Sequence, residues 1–183
     1  MLHADCGCAV LALVMTTSAL HDSAMQNHNM AHEIGQTLLQ RREWLAVAES
    51  CTGGLIAKQV TDIAGSSGWF ERGLVTYSNR AKQDLLRVPD ALLAEHGAVS
   101  EACARAMVKG LLHNSPADWG IAVTGIAGPG GGSADKPVGT VWVALLRRGG
   151  IAEVQRHRFE GDREAVREQT ARVALQWFRK NLG

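Results

Sequence analysis

Apolar positions along the chain alternate between a helical period and short continuous runs. In residues 31–42, Ile34, Leu38 and Leu39 fall on one helical face, and the apolar run at 45–48 then predicts a short buried strand. The same change of period repeats towards the C-terminus. It predicts further helices at residues 53–63, 81–88, 100–113 and 162–181, and further strands at residues 73–78, 119–124, 138–146 and 151–159.

The later strands indicate how the sheet is arranged. Residues 119–124 and 138–146 are apolar on both faces, which is typical of central strands covered by helices. Residues 151–159 are more polar and predict an edge strand. Because helices and strands alternate, the expected fold class is α/β, a single three-layer α/β/α sandwich with a mixed central sheet.

Length and charge limit the classes of partner. The chain has 183 residues, which suits one domain with a substantial core. Its 19 Lys and Arg residues nearly balance 18 Asp and Glu residues, without a long run of either sign. We therefore expect no nucleic-acid partner and no membrane partner, and a small molecule as the ligand.

Near the N-terminus, residues 21–32 are polar and rich in Met and His, without a clear period. The apolar run at 9–15 is too short to span a membrane and no Lys or Arg precedes it, which disfavours a signal peptide. We expect residues 1–29 to be an N-terminal extension that is either disordered or precedes the true start, at Met25 or Met30. Residues 30–183 are expected to form the domain.

The cysteines bear on compartment and metal binding. Their irregular spacing is typical of reduced thiols and predicts a cytoplasmic protein. Cys6 and Cys8 lack a second ligand pair, so we expect no metal site. The four cysteines are Cys6, Cys8, Cys51 and Cys103.

The segment AESCTGG, residues 48–54, joins the first predicted strand to the next helix. Ser and Thr are favoured N-caps, so Ser50 and Thr52 fit a helix-capping role. A serine in this place also lies beside unpaired N–H groups that can bind an oxyanion, and Gly53 and Gly54 let a substrate approach the backbone. These residues by themselves leave both roles open.

A serine nucleophile needs a base, and no histidine is arranged for that role. The candidates are Tyr77 and Lys82 in TYSNRAK, because the ends of neighbouring strands converge in an α/β sheet. Lys82 would need its pKa lowered by about 3 units from about 10.4, at a cost of about 4 kcal/mol. Burial, together with the positive end of a helix, can impose such a shift. The alternative is an ordinary solvated lysine.

A glycine-rich loop, GIAGPGGGSADKP at residues 125–137, separates two of the predicted strands. Its many unhindered N–H groups suit an anion such as phosphate, although the GxxxxGK[ST] pattern of a Walker loop is absent. Arg163 in the segment GDR would add a positive charge. A flexible surface connection is the alternative for the loop, and a surface position is the alternative for Arg163.

Taken in order, several segments closely resemble the CinA C-terminal domain family. They are AESCTGGLIAKQVTDIAGSSGWFERGLVTYSNRAK, GAVSE, TGIAGPGGGSADKPVGTVW and GDR. The resemblance runs from about Ala31 to the C-terminus. Standalone members of this family are nicotinamide mononucleotide deamidases, and 30 residues are too few for the separate N-terminal domain of longer members. The resemblance therefore implies the standalone type.

The family resemblance implies hydrolysis of nicotinamide mononucleotide to nicotinic acid mononucleotide and ammonia, in pyridine nucleotide recycling. It assigns Ser50 as nucleophile, Lys82 as general base and Tyr77 as the partner that relays protons. It also implies that no metal or redox cofactor is needed and that the protein is a homodimer or higher homo-oligomer. The expected substrate-binding residues are Cys51, Thr52, Gly53, Gly54, Asn79, Thr124, Gly125, Gly128, Gly130 and Arg163.

Two other functions remain open at this point. A noncatalytic nucleotide-binding module would need only the glycine-rich loop to hold phosphate. A partner of DNA-uptake or recombination proteins is suggested by the historical name of the family alone. The lack of a basic stripe weighs against direct DNA binding.

Overall fold

The computed structural model describes residues 26–183. The apolar run at 9–15, Cys6, Cys8 and most of the expected N-terminal extension lie outside the described residues. A first helix, α1, covers residues 26–41. The elements that follow are β1 (Leu45–Glu49), α2 (Leu55–Thr61), β2 (Phe70–Val75), α3 (Asn79–Leu86), α4 (Asp90–His96), α5 (Glu101–His113), β3 (Trp119–Gly125), β4 (Thr140–Arg147), β5 (Glu153–Arg158) and α6 (Arg163–Leu182).

The strands form one five-stranded sheet in the order β2-β1-β3-β4-β5. β1 pairs in parallel with β2 and β3, whereas β4 is antiparallel to both β3 and β5. The predicted mixed sheet is confirmed, as are the central positions of β3 and β4 and the edge position of β5. β1 and β3 are buried along almost their whole length, which explains their continuous apolar runs.

Side chains of the central strands alternate between two cores. Leu45, Val47 and the other bulky residues face α1, α2 and α6. Ala46, Ala48 and Ala122 face the opposite layer, where the long helix α5 packs against β1 and β3. The chain is therefore the predicted three-layer α/β/α sandwich, with small side chains under α5 and large ones under the other helices.

Local side-chain caps start three of the helices. The hydroxyls of Ser78 and Ser100 accept hydrogen bonds from N–H groups in the first turns of α3 and α5, and the Asp162 carboxylate does the same for α6. In α3 the cap makes Asn79 the first helical residue, two positions before the predicted start.

Two predictions along the chain need correction. The second strand is Phe70–Val75, not residues 73–78, so Thr76 and Tyr77 belong to the turn after it. Helix α4 is not among the predicted elements. Pro89 directly precedes its first residue, where the missing N–H is tolerated. Leu93 is the one buried residue of α4, so no helical period marks this helix in the sequence.

Candidate active site

The site lies where the three parallel strands end. β1 is followed along the chain by β2 on one side of it and later by β3 on the other. A crevice forms at such a reversal of strand order, outside the carboxyl ends of the strands. Ser50 follows β1, Thr76 and Tyr77 follow β2, and Thr124 and Gly125 end β3. The sheet therefore brings these separate segments to one edge.

Ser50 begins a tight turn, residues 50–54, between β1 and α2. Its N–H donates to the Val123 carbonyl at 3.1 Å, and its own carbonyl accepts from the Gly53 N–H at 3.1 Å. Gly53 and Gly54 have φ values of 62° and 98°, a region that favours glycine. The Ser50 side chain is buried, with 8% of the residue exposed.

Helix α2 is capped by Glu49, not by Ser50 or Thr52. The Glu49 carboxylate accepts hydrogen bonds from the N–H groups of Gly54 and Ile56, each at 3.1 Å, and of Ala57 at 2.8 Å. It thus satisfies donors that a helix start leaves free. The capping role that the sequence left open for Ser50 is therefore filled by its neighbour, and the Ser50 hydroxyl is available for other contacts.

The Ser50 hydroxyl contacts the amine of Lys82, 32 positions further along the chain. Lys82 Nζ lies 3.1 Å from Ser50 Oγ, and it donates to the carbonyl oxygens of Thr76 at 2.8 Å and Tyr77 at 3.3 Å. Lys82 is 1% exposed, and no carboxylate of residues 26–183 forms an ion pair with it. Lys82 is thus a buried base candidate, not a solvated lysine.

The surroundings of Lys82 favour its neutral form. Burial lowers the pKa of the amine below the ordinary value, because the charged form is poorly solvated there. A neutral amine has two N–H bonds and one lone pair. If the two N–H groups of the neutral amine donate to the Thr76 and Tyr77 carbonyls, its lone pair is left for the Ser50 hydroxyl proton, as a general base needs.

Two buried thiols flank the amine. Burial raises the pKa of the Cys51 thiol to about 12 and that of Cys103 to about 11. Both therefore stay protonated at neutral pH and are poor nucleophiles. Cys51 directly follows Ser50. Because its thiol is neutral and a poor nucleophile, the Ser50 hydroxyl is the candidate nucleophile of the turn.

Tyr77 contacts the pair through its backbone. Its carbonyl accepts from Lys82, whereas its hydroxyl accepts a hydrogen bond from the Arg163 guanidinium at 2.9 Å. The same guanidinium donates to the Gly128 carbonyl at 2.9 Å, so Arg163 ties Tyr77 to the glycine-rich loop. Tyr77 is 58% exposed, and among the described residues its hydroxyl bonds neither Ser50 nor Lys82. Its proton-relay role remains a prediction.

Ser50, Lys82 and Tyr77 line one cavity of about 260 Å³. Its basic lining residues are Lys82 and Arg163, of which Arg163 carries the positive charge, and no carboxylate is among them. A cavity with this balance favours an anionic ligand. Of the predicted substrate-binding residues, it is lined by Cys51, Thr124, Gly125, Gly128, Gly130 and Arg163.

Four predicted substrate-binding residues lie elsewhere. Thr52 is fully buried and its carbonyl accepts hydrogen bonds from Arg167 on α6. Gly53 and Gly54 shape the turn behind the nucleophile, and Asn79 is exposed at the start of α3. None of the four is part of the cavity lining.

Other lining residues were missed from the sequence. Ala98 and Val99 belong to the segment GAVSE, which was noted only for its resemblance, and their apolar side chains carry no chemical signal. Ile126, Ala127 and Gly131 were not missed in this way, because they belong to the glycine-rich loop for which an anion-binding role was predicted. Glu49 was also missed, although an acidic residue at the end of an otherwise apolar strand is unusual enough to have marked it.

The peptide N–H groups near Ser50 provide candidate oxyanion donors. Those of Gly53 and Gly54 are already bonded to the Ser50 carbonyl and the Glu49 carboxylate. Those of Cys51 and Thr52 donate to no oxygen atom of residues 26–183. Of the N–H groups predicted to bind the oxyanion, residues 51–54, those of Cys51 and Thr52 therefore remain candidates.

A second cavity, a metal site and a membrane-spanning helix are the further features that would bear on function in the described part of the chain. A larger cavity of about 690 Å³ lies between α1, α2 and α6 and includes none of the three predicted catalytic residues. Residues 26–183 contain no group of three His, Cys, Asp or Glu side chains suited to a metal ion. No helix within them has the length and apolar character to cross a membrane.

Comparison with known proteins supports the family resemblance. The nicotinamide-nucleotide amidohydrolase PncC of Enterobacter agglomerans is 54% identical over 149 residues, 81% of this chain and 91% of that protein. PncC of Escherichia coli K12 is 51% identical over 147 residues, 80% of this chain and 89% of that protein. A CinA-like protein of Geobacter sulfurreducens is 61% identical over 138 residues, and there the match spans 75% of this chain but 33% of the relative.

Solved structures agree in fold. The competence/damage inducible protein CihA of Agrobacterium tumefaciens has a TM-score of 0.83 and 44% identity, covering 85% of this chain and 94% of that one. A competence damage-inducible protein A of Klebsiella pneumoniae has a TM-score of 0.82 and 41% identity, covering 85% of this chain and 96% of that one. The family model of the CinA C-terminal domain matches residues 27–182. The chain therefore belongs to the CinA C-terminal domain family.

Proposed function

We propose that this protein is an amidohydrolase that converts nicotinamide mononucleotide and water to nicotinic acid mononucleotide and ammonia. The observation that carries the proposal is the buried pair of Ser50 Oγ and Lys82 Nζ, 3.1 Å apart, in the lining of a cavity that contains the Arg163 guanidinium and no carboxylate. The relatives named nicotinamide-nucleotide amidohydrolase support the substrate, because they match this chain over about 90% of their length.

The first half of the reaction forms an acyl-enzyme. Neutral Lys82 takes the Ser50 proton while Ser50 Oγ attacks the carboxamide carbon, and the N–H groups of Cys51 and Thr52 stabilise the oxyanion. Lys82 then returns the proton to the departing nitrogen as the carbon–nitrogen bond breaks. Ammonia leaves, and the nicotinoyl group remains on Ser50 as an ester.

The second half regenerates the enzyme. Lys82 takes a proton from a water molecule whose oxygen attacks the ester carbonyl. The ester bond breaks, Ser50 Oγ regains the proton, and nicotinic acid mononucleotide leaves. Tyr77, which contacts Lys82 through its carbonyl, is proposed to relay protons through its hydroxyl once Arg163 releases it.

The substrate phosphate is proposed to bind Arg163 and the free N–H groups of the glycine-rich loop. Arg163 already reaches the loop through the Gly128 carbonyl, and the cavity has no lining carboxylate to repel an anion. Guanidinium and backbone N–H groups are common phosphate ligands. Cys51, Thr124, Gly125 and Gly130 complete the proposed substrate-binding wall.

The test is product analysis with the wild-type protein. We expect one ammonia for each nicotinic acid mononucleotide formed, with the activity retained in a metal chelator, since Ser50 and Lys82 themselves supply nucleophile and base. Nicotinamide riboside, which lacks the phosphate, is the matched control and is expected to have a higher KM. Binding of the mononucleotide without ammonia release would contradict the proposal and indicate a noncatalytic binding module.

We also propose a cytoplasmic homodimer. Cys51 and Cys103 are free thiols, which suits a reducing compartment. The exposed apolar side chains of Val75, Tyr77 and Leu85 offer area for a second copy near β2 and α3. Light scattering after size exclusion is expected to give twice the chain mass, and a monomer at assay concentration would contradict the dimer.

A further inference from the structure

We propose that Glu49 is the positioning residue that holds Ser50 in line with Lys82. This inference rests on the proposed role of Ser50 as nucleophile, but not on the identity of the substrate. Glu49 is the last residue of β1 and is 1% exposed. A carboxylate is seldom buried to this extent unless its oxygens are bonded.

The first step of the argument is the flexible backbone behind Ser50. Gly53 and Gly54 both adopt positive φ, which glycine reaches at the expense of backbone rigidity. Two adjacent glycines therefore connect the nucleophile to α2. A turn of this composition needs a fixed support if Ser50 Oγ is to stay 3.1 Å from Lys82.

The Glu49 carboxylate provides that support. It accepts hydrogen bonds from the N–H groups of Gly54, Ile56 and Ala57, and so fixes the far end of the turn to the end of β1. α2 has no other side-chain cap. Three donors need three lone pairs, which a carboxylate supplies and an amide oxygen does not.

The backbone of Glu49 reaches the other half of the pair. Its carbonyl accepts from the Thr76 N–H at 2.7 Å, and the Thr76 carbonyl accepts from Lys82 Nζ at 2.8 Å. Glu49 therefore lies between the segment that carries Ser50 and the segment that orients Lys82. A displacement of about 1 Å between reacting groups can lower a rate about 10²-fold.

The test measures the reactivity of Ser50 without the natural substrate. A fluorophosphonate probe reacts with a serine nucleophile when Oγ forms a bond to phosphorus, fluoride leaves and the hydroxyl proton passes to the base. We expect Glu49→Ala to lower the labelling rate of Ser50, read by mass spectrometry, about 10²-fold. Glu49→Gln is expected to fall between Glu49→Ala and the wild type. Glu95→Gln, an exposed acidic residue of α4, is the matched control and should label at the wild-type rate.

The pH dependence separates positioning from other roles. Glu49 is proposed to hold Ser50 in position and not to take part in the protonation of Lys82. Glu49→Ala should therefore lower the maximum labelling rate, while the pH of half-maximal labelling stays at the wild-type value. Thermal unfolding gives the Tm of each variant, and the labelling rates are compared at a temperature well below it. Should Glu49→Ala fail to fold, the near-isosteric Glu49→Gln carries the test.

Several outcomes would overturn the inference. One is a folded Glu49→Ala or Glu49→Gln protein that is labelled at the wild-type rate. Another is a shift in the pH of half-maximal labelling with an unchanged maximum rate. A wild-type Ser50 that takes no label would also overturn it. Ammonia release from nicotinamide mononucleotide is measured on the same samples, so a protein that labels at Ser50 but releases no ammonia would refute the proposed substrate and leave this inference standing.

Discussion

The amine of Lys82 is held by two carbonyl oxygens, and no carboxylate is paired with it in the described chain. Carbonyls accept its N–H groups without supplying the negative charge that would stabilise an ammonium ion. Burial then lowers the pKa of Lys82. The Ser50 hydroxyl, in turn, is not needed as a cap for α2, because the Glu49 carboxylate caps that helix.

The pH dependence of the rate follows from Lys82. A base works only when deprotonated, so ammonia release should rise with pH to a plateau, with its midpoint below the ordinary lysine value of about 10.4. The thiols of Cys51 and Cys103, with pKa values of about 12 and 11, remain protonated over most of that range. The measurement is kcat from pH 6 to 11. Lys82→Met should remain inactive throughout, and a midpoint at or above 10.4 would contradict this account.

At the scale of elements, α3 holds Lys82 in place and α5 supports α3. Gly110 of α5 lies so close to α3 that a Cβ atom there would be 1.8 Å from the Leu86 carbonyl oxygen. The two helices can approach to this distance only because position 110 lacks a side chain. Lys82 lies one turn before Leu86, so this contact fixes the backbone that carries the base.

Gly110→Ala is therefore expected to lower the free energy of unfolding by about 3 kcal/mol, since the helices must separate. The same separation should reduce kcat. Lys109→Ala removes an exposed side chain of the same helix and should change the stability by less than about 0.5 kcal/mol. Urea unfolding of both variants measures the difference, and equal stability of Gly110→Ala and the wild type would show that α3 and α5 are not this tightly packed.

At the scale of the whole molecule, the fold was predictable because its pattern is strong. The buried runs of β1, β3 and β4 and the amphipathic helices give a three-layer sandwich directly. Helix α4 escaped because it buries little, and β2 was placed three residues late because its edge position leaves it only half buried. An element that buries few side chains shows only a weak hydrophobic period in the sequence.

The site was less accessible from the sequence. No periodicity reveals that Ser50 meets Lys82 across 32 positions. The convergence of strand ends made Lys82 a candidate base, and the family resemblance then assigned the roles of both residues. Glu49 caps α2 although it is the last residue of a strand and lies several positions before the helix. The preference for Ser and Thr at the N-cap position does not predict such a contact. The contact of the Tyr77 hydroxyl with Arg163 likewise depends on the tertiary fold.

The most direct test of the whole account is ammonia release from nicotinamide mononucleotide by the wild type, Ser50→Ala and Ser67→Ala. Ser67 is an exposed serine that precedes β2, whereas the proposed pair lies beyond the carboxyl ends of the strands, and it controls for loss of a hydroxyl. We predict that Ser50→Ala folds, yet loses at least about 10³-fold in kcat, because the covalent route is gone. Ser67→Ala should match the wild type. A folded Ser50→Ala with wild-type kcat would contradict the account.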